Sequence, residues 1–185
     1  MKYAIEMYFD RDTEDAIMSL VQKVADHGLS TKFLEWKTRP HVTLAVFNDV
    51  DEKKCVDLLN EFVENLNTIP AFLDSVAMFN DTKVVFINPT MTKGMYQLQA
   101  DLHEKLKEFD TQGWEWYLPD AWVPHCTIAL NGEDEEDVFY RTSELVLREF
   151  KKMEGKYVAL GLVRITFPVE EIATVPLKAT QCGLA

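Results

Sequence analysis

The segment TRPHVTLAVF, residues 38 to 47, is answered later in the chain by WVPHCTIALN, residues 122 to 131. Aligned on the proline, Pro40-His41-x-Thr43-x-Ala45 repeats as Pro124-His125-x-Thr127-x-Ala129. The positions between stay apolar, Val42 and Leu44 against Cys126 and Ile128. A chain that writes the same strand-like segment twice, about 85 residues apart, is constrained to fold as two related units.

What flanks each copy supports that reading. Residues 2 to 9, KYAIEMYF, have the composition of a strand, and Asp12 or Thr13 can cap a helix with Ala16, Ile17, Leu20, Val21 and Val24 at helical spacing up to Gly28. After the first motif a helix opens near Asp51, with Cys55, Leu58, Leu59, Phe62, Val63 and Leu66 on one stripe. AFLDSVAMF and KVVFIN, separated by Asn80-Asp81-Thr82, then form a hairpin. A helix over residues 92 to 109 and the aromatic connection GWEWYLPDAW lead to the second motif. Behind it follow a helix with Val138, Phe139, Thr142, Leu145 and Val146 inward and a hairpin of KYVALGLVRITF and EIATVPL.

Motif, helix and hairpin thus recur at about 40–88 and 124–177. Neither unit, at fewer than about 90 residues with one short sheet, can cover its own apolar face. The expectation is one bilobal domain over residues 1–185, α+β and pseudo-symmetric. Two antiparallel sheets flank a central cleft, with helices outside.

Side chains alternate along a strand, so His41, Thr43 and Ala45 are expected on one face and Val42, Leu44 and Val46 on the other. His125, Thr127 and Ala129 sort in the same way. If each motif strand lines the seam, the two His-Thr pairs face each other. Two imidazoles, each able to be charged or neutral near neutrality, suit a reaction that removes one proton and delivers another. Phosphodiester cleavage is such a reaction, and the threonine hydroxyls can donate to the non-bridging phosphate oxygens. The scheme requires no metal or cofactor.

PHVTLAV and PHCTIAL, placed half a chain apart, resemble the paired H-x-T motifs of the 2H phosphoesterase superfamily, which includes the RNA 2′,3′-cyclic phosphodiesterases historically called 2′-5′ RNA ligases. The resemblance implies a bilobal fold and metal-independent cleavage of 2′,3′-cyclic or 2′-5′ phosphodiester bonds. It makes His41 and His125 the acid/base pair and Thr43 and Thr127 the phosphate-binding hydroxyls, leaving open which histidine is acid and which base. RNA ligase activity would be the same chemistry in reverse. A reading from another class also stands: a non-catalytic nucleotide-binding or sensor module using the same cleft.

A formal net charge of −12 disfavours adhesion to a long duplex, whose binding depends on Lys and Arg neutralising phosphates. A small phosphorylated nucleotide or an RNA end remains a suitable partner. No apolar run approaches the roughly 20 residues of a membrane-spanning helix, and no signal peptide is evident, so a cytoplasmic, monomeric protein without a membrane partner is expected. Cys55, Cys126 and Cys182 are odd in number and widely spaced, which reads as reduced thiols. His27 and His103 have no partner at ligand spacing, and the acidic run at 133–137 reads as a solvated helix start. Arg39 and Trp122, adjoining the two motifs, are the candidates for substrate contacts. Trp114, Trp116 and Tyr117 are expected chiefly to pack the seam.

Overall fold

In a computed structural model, residues 2–109, 113–132 and 134–179 are described. The elements run β1 (Tyr3–Phe9), α1 (Arg11–Asp26), α2 (Lys32–Glu35), β2 (His41–Phe47), α3 (Glu52–Val63), β3 (Ile69–Phe79) and β4 (Val84–Pro89). They continue with α4 (Lys93–Leu106), a 3-10 turn (Glu115–Tyr117), β5 (Cys126–Leu130), α5 (Glu136–Glu149), β6 (Met153–Arg164) and β7 (Glu170–Pro176). The order strand, helix, hairpin therefore occurs twice, as β2-α3-β3-β4 and β5-α5-β6-β7. Cys182 and Glu133 lie outside the described residues.

Local chemistry accounts for the boundaries. Helix α1 begins earlier than Asp12 because Asp10 is its cap: the Asp10 carboxylate accepts from the Thr13 N–H at 3.1 Å and from the Lys156 N–H at 2.5 Å. One side chain thereby ties the end of β1 to the helix start and to β6; a cap of this kind is worth about 1 kcal/mol. The helix stops at Gly28, whose φ of +66° suits a residue without Cβ. Asp51 and Thr92 cap α3 and α4 in the same manner, whereas α5 has no side-chain cap and carries Glu136 and Asp137 in its first turn. The four-residue helix α2 is too short to display periodicity and has no counterpart in the sequence reading.

The strands form one seven-stranded sheet along the path β2-β1-β6-β3-β4-β5, with β7 also on β6. Each of these pairings is antiparallel. The expected α+β class with antiparallel strands is present, but its two sheets are joined into one. The reason is the length of β6. Its first residues, Met153 to Tyr157, pair with β3, and Tyr157 to Arg164 pair with β1. One strand belongs to both halves.

A single apolar cluster runs through both halves, joining Ile5, Met7 and Leu44 to Val85, Ile87 and Ile128, with Ile17, Leu59, Leu98 and Phe139 from the helices. Burial of each large side chain contributes about 1.5–3 kcal/mol. The ends of the strand path, β2 and β5, touch each other. The sheet therefore curls until its two motif strands meet.

Candidate active site

Each motif strand leaves regular pairing immediately after its threonine. On β2, Thr43 pairs with Glu6 while Ala45 pairs with Ile5, so Leu44 is an extra residue; on β5, Thr127 pairs with Phe86 while Ala129 pairs with Val85, so Ile128 is extra. A bulge of this kind flips the faces beyond it. His41 and Thr43 share a face with Tyr8 and Glu6, but Ala45 turns into the core, where it is buried like Ala129. The expectation that both alanines line the ligand face is thereby corrected. Val46 takes that place, packing with Ala4 and Val163 beneath Trp114 and Tyr117.

The bulge also frees a carbonyl, and α4 supplies its donors. Gln99 Nε2 lies 3.4 Å from the Leu44 carbonyl oxygen and 2.7 Å from that of Tyr117, and His103 Nε2 is 2.9 Å from the Leu44 oxygen. His103, which has no role legible in the sequence, is a brace for the first motif. Burial lowers its pKa from the ordinary histidine value, opposed by its contacts to the carbonyls of Leu44 and Tyr117.

The two histidines are held alike. His41 Nδ1 is 2.6 Å from the Arg39 carbonyl and His125 Nδ1 is 2.8 Å from the Val123 carbonyl. A carbonyl only accepts, so each Nδ1 carries hydrogen and each Nε2 is left for chemistry. His125 immediately precedes β5. The strands β2 and β5, at whose starts the two histidines sit, are in contact. Neither Thr43 nor Thr127 uses its hydroxyl in a hydrogen bond among the described residues, so both remain available to a ligand.

The surroundings of the two rings differ. His41 is only 14 % exposed in its side chain, and its Nε2 lies 3.4 Å from Glu6 Oε1. The other Glu6 oxygen accepts from the Tyr8 hydroxyl at 3.0 Å. Tyr8 reaches this position by lying over Gly161, where a Cβ would come within 2.3 Å of its ring. Burial raises the pKa of Glu6, while His41 and then the Tyr8 hydroxyl oppose that rise. His125 instead meets rings: Phe79 at 5.1 Å between centroids, Phe86 at 5.4 Å and Tyr117 at 6.5 Å. Burial holds its imidazole below the ordinary value, the Val123 carbonyl opposes that, and the charge of His41 lowers it further.

Of the two candidate contact residues, Arg39 sits beside the first motif with its charge already engaged. Its Nε donates to Glu14 Oε1 at 2.7 Å, its Nη1 is 3.9 Å from Glu171, and its guanidinium lies 4.0 Å from the Tyr8 ring centroid. Trp122 is 7 % exposed and donates its indole N–H to the Thr43 carbonyl at 2.9 Å. It crosses from the second motif to the first, so what it offers in this position is support for β2 rather than an open stacking face.

Sequence reading misses Glu6, Tyr8, Phe79 and Phe86. Glu6 carries a signal, as the one charged residue of β1, a strand buried along its whole length. Among the described residues no cluster of His, Cys, Asp and Glu has metal-site geometry. No helix among them is long and apolar enough to cross a membrane. A groove of about 800 Å³ between α3 and the end of α4 lies elsewhere, lined mainly by acids such as Asp57, Glu61 and Glu108, with Lys54 and Lys105 among them.

The fold with its paired motif strands is that of the 2H phosphoesterases, and residues 13–175 match the family model of the 2'-5' RNA ligase superfamily. The chain belongs to this superfamily. Among solved structures it is similar to TT0787 of Thermus thermophilus, at 15% identity over 97% of this chain and 99% of that one, with a TM-score of 0.60. It is likewise similar to E. coli LigT in its apo form, at 13% identity over 96% and 97% of the two chains, TM-score 0.60. LigT complexed with 3'-AMP gives 15% identity over 96% and 98%, TM-score 0.56. No curated protein matches the chain in sequence.

Proposed function

We propose that the protein is a metal-independent phosphodiesterase that hydrolyses 2′,3′-cyclic or 2′-5′ phosphodiester bonds of a small nucleotide or an RNA end. The observation that carries this reading is the duplicated restraint on the histidines: each Nδ1 donates to a carbonyl two residues earlier, which leaves two Nε2 atoms and two free threonine hydroxyls for one ligand. One imidazole takes a proton from the attacking water, the other gives one to the departing ribose oxygen, and Thr43 and Thr127 donate to the non-bridging oxygens. The repeated units at about 40–88 and 124–177 contribute one His-Thr pair each, within a single bilobal domain. Solved complexes of LigT with 3'-AMP, ATP and phosphate support a ligand of this size and charge. Trp122 acts here as a brace on Thr43, and Arg39, held by Glu14 and Glu171, would have to exchange one of these partners to reach a phosphate.

The test is hydrolysis of a panel of nucleoside 2′,3′-cyclic phosphates in the presence of chelator. Wild type should turn over at least one of them, and His41→Ala or His125→Ala should lose about 100- to 10,000-fold. Equal turnover by wild type and both variants would remove the reading. Tight nucleotide binding with no product would move it to a binding or sensor module.

A further inference from the structure

The paired motifs leave open which histidine is the acid, and the backbone treats the two alike. The side chains opposite them do not. Glu6, the ladder partner of Thr43, lies with Oε1 3.4 Å from His41 Nε2, whereas the corresponding partner of Thr127 is Phe86. We infer that Glu6 is a positioning residue that shares with His41 the proton delivered to the leaving oxygen, so that His41 is the acid and His125 the base. This rests on the phosphodiesterase reading above.

The separation of 3.4 Å suits the role. It is close enough for strong attraction between carboxylate and imidazolium, yet longer than an ordinary hydrogen bond, so Nε2 is free to turn its proton to a substrate oxygen. Glu6 is fixed from the other side by the Tyr8 hydroxyl, and Tyr8 is fixed by the bare backbone of Gly161. A buried carboxylate and imidazole at this distance are coupled, so their protons belong to the pair rather than to either group alone. Burial makes Glu6 reluctant to be charged alone, which favours retention of a proton in the pair.

The groups facing the pair are Tyr8 on its own strand, Arg39 before β2, Glu171 on β7, Glu14 on α1, His125 just before β5, Cys126 on β5, and Tyr117 from the 3-10 turn. Arg39 is committed to Glu14 and Glu171. Burial holds the Tyr8, Tyr117 and Cys126 protons in place, the thiol being pushed up to about 12. That leaves Glu6 and His41, 3.4 Å apart, as the pair through which a proton can pass. Across the cleft His125, among rings, favours the neutral form that a base needs.

The step balances. The oxygen of water bonds to phosphorus as His125 Nε2 takes its proton; the bond from phosphorus to the ribose oxygen breaks with its electron pair on that oxygen, which receives the proton of the Glu6–His41 pair. His125 then loses a proton to solvent and the pair regains one.

The experiment compares wild type with Glu6→Gln, which keeps the shape and the Tyr8 contact but cannot hold the proton. The protonated fraction of each histidine is read from ring 15N shifts, and kcat/KM for a 2′,3′-cyclic nucleotide is followed with pH. In Glu6→Gln the protonated fraction of His41 at neutral pH should fall while that of His125 hardly changes. The alkaline limb of kcat/KM should move about one pH unit downward, costing about tenfold at pH 8 with recovery toward pH 6. A His41 ring or an alkaline limb that ignores the substitution overturns the inference. If Glu6→Gln does not fold, wild type decides alone: the Glu6 carboxyl 13C and His41 ring 15N signals should move over the same pH range, and independent titration overturns the pairing. Absence of turnover in wild type removes the phosphodiesterase reading, while the 15N comparison still judges Glu6 and His41.

Discussion

The two halves of the site share a backbone and differ in chemistry. Both motif strands bulge after the threonine, and both histidines rest Nδ1 on the carbonyl two residues before. Yet His41 faces Glu6 and Tyr8, and His125 faces Phe79 and Phe86. Position is duplicated and environment is divided. Two groups of the same type can thus take different proton-transfer roles, because a carboxylate stands beside one and aromatic rings surround the other.

Substitutions that treat the halves equally should expose what they share. Thr43→Val and Thr127→Val each remove one free hydroxyl and should each lower kcat by about 100- to 1,000-fold if the hydroxyls stabilise the transition state. Steady-state kinetics on a cyclic nucleotide checks this, and a loss confined to KM would indicate ground-state binding alone.

Phe86→Ala attacks the difference. It empties a core position beside His125 and should cost about 3–5 kcal/mol of stability, measured by denaturant unfolding. It also admits water to the imidazole. A base works above its pKa, and desolvation holds that of His125 below the ordinary value of about 6.5, so the acid limb of kcat/KM in wild type should lie below that pH. The variant should move this limb upward, toward the ordinary histidine value.

Trp122→Phe gives the smallest effect. It keeps a ring in the core but removes the donor to the Thr43 carbonyl, for an expected loss of about 1–3 kcal/mol. Thermal unfolding measures the loss, and pH limbs that stay in place separate bracing from proton transfer.

How far the sequence foretells this site varies with the range of the interaction. Helices α1, α3, α4 and α5 and both hairpins follow from apolar spacing, since those signals are local. His41, Thr43, His125 and Thr127 stand out because the motif repeats. Ala45 and Ala129 are misplaced by sequence because a bulge depends on the partner strand, and alternation read along one strand cannot register an extra residue opposite. The joining of the sheets through β6 is equally hidden, because a strand of mixed partners has the same composition as one with a single partner. Glu6 is visible as a lone acid in an apolar strand, but its neighbour His41 is brought to it only by the pairing of β1 with β2. Trp122 is marked in the sequence by its place beside a motif, and only tertiary structure reveals that its N–H is already used.

The twelve residues of β6 have a mechanical consequence. Because its hydrogen bonds tie β3 at one end and β1 and β7 at the other, the distance between the two imidazoles is set by a continuous ladder, as the jaws of a caliper are set by its beam. Separating the jaws would mean bending that beam and breaking its hydrogen bonds. The gauge between the two imidazoles is therefore built in when the sheet forms, before any ligand arrives.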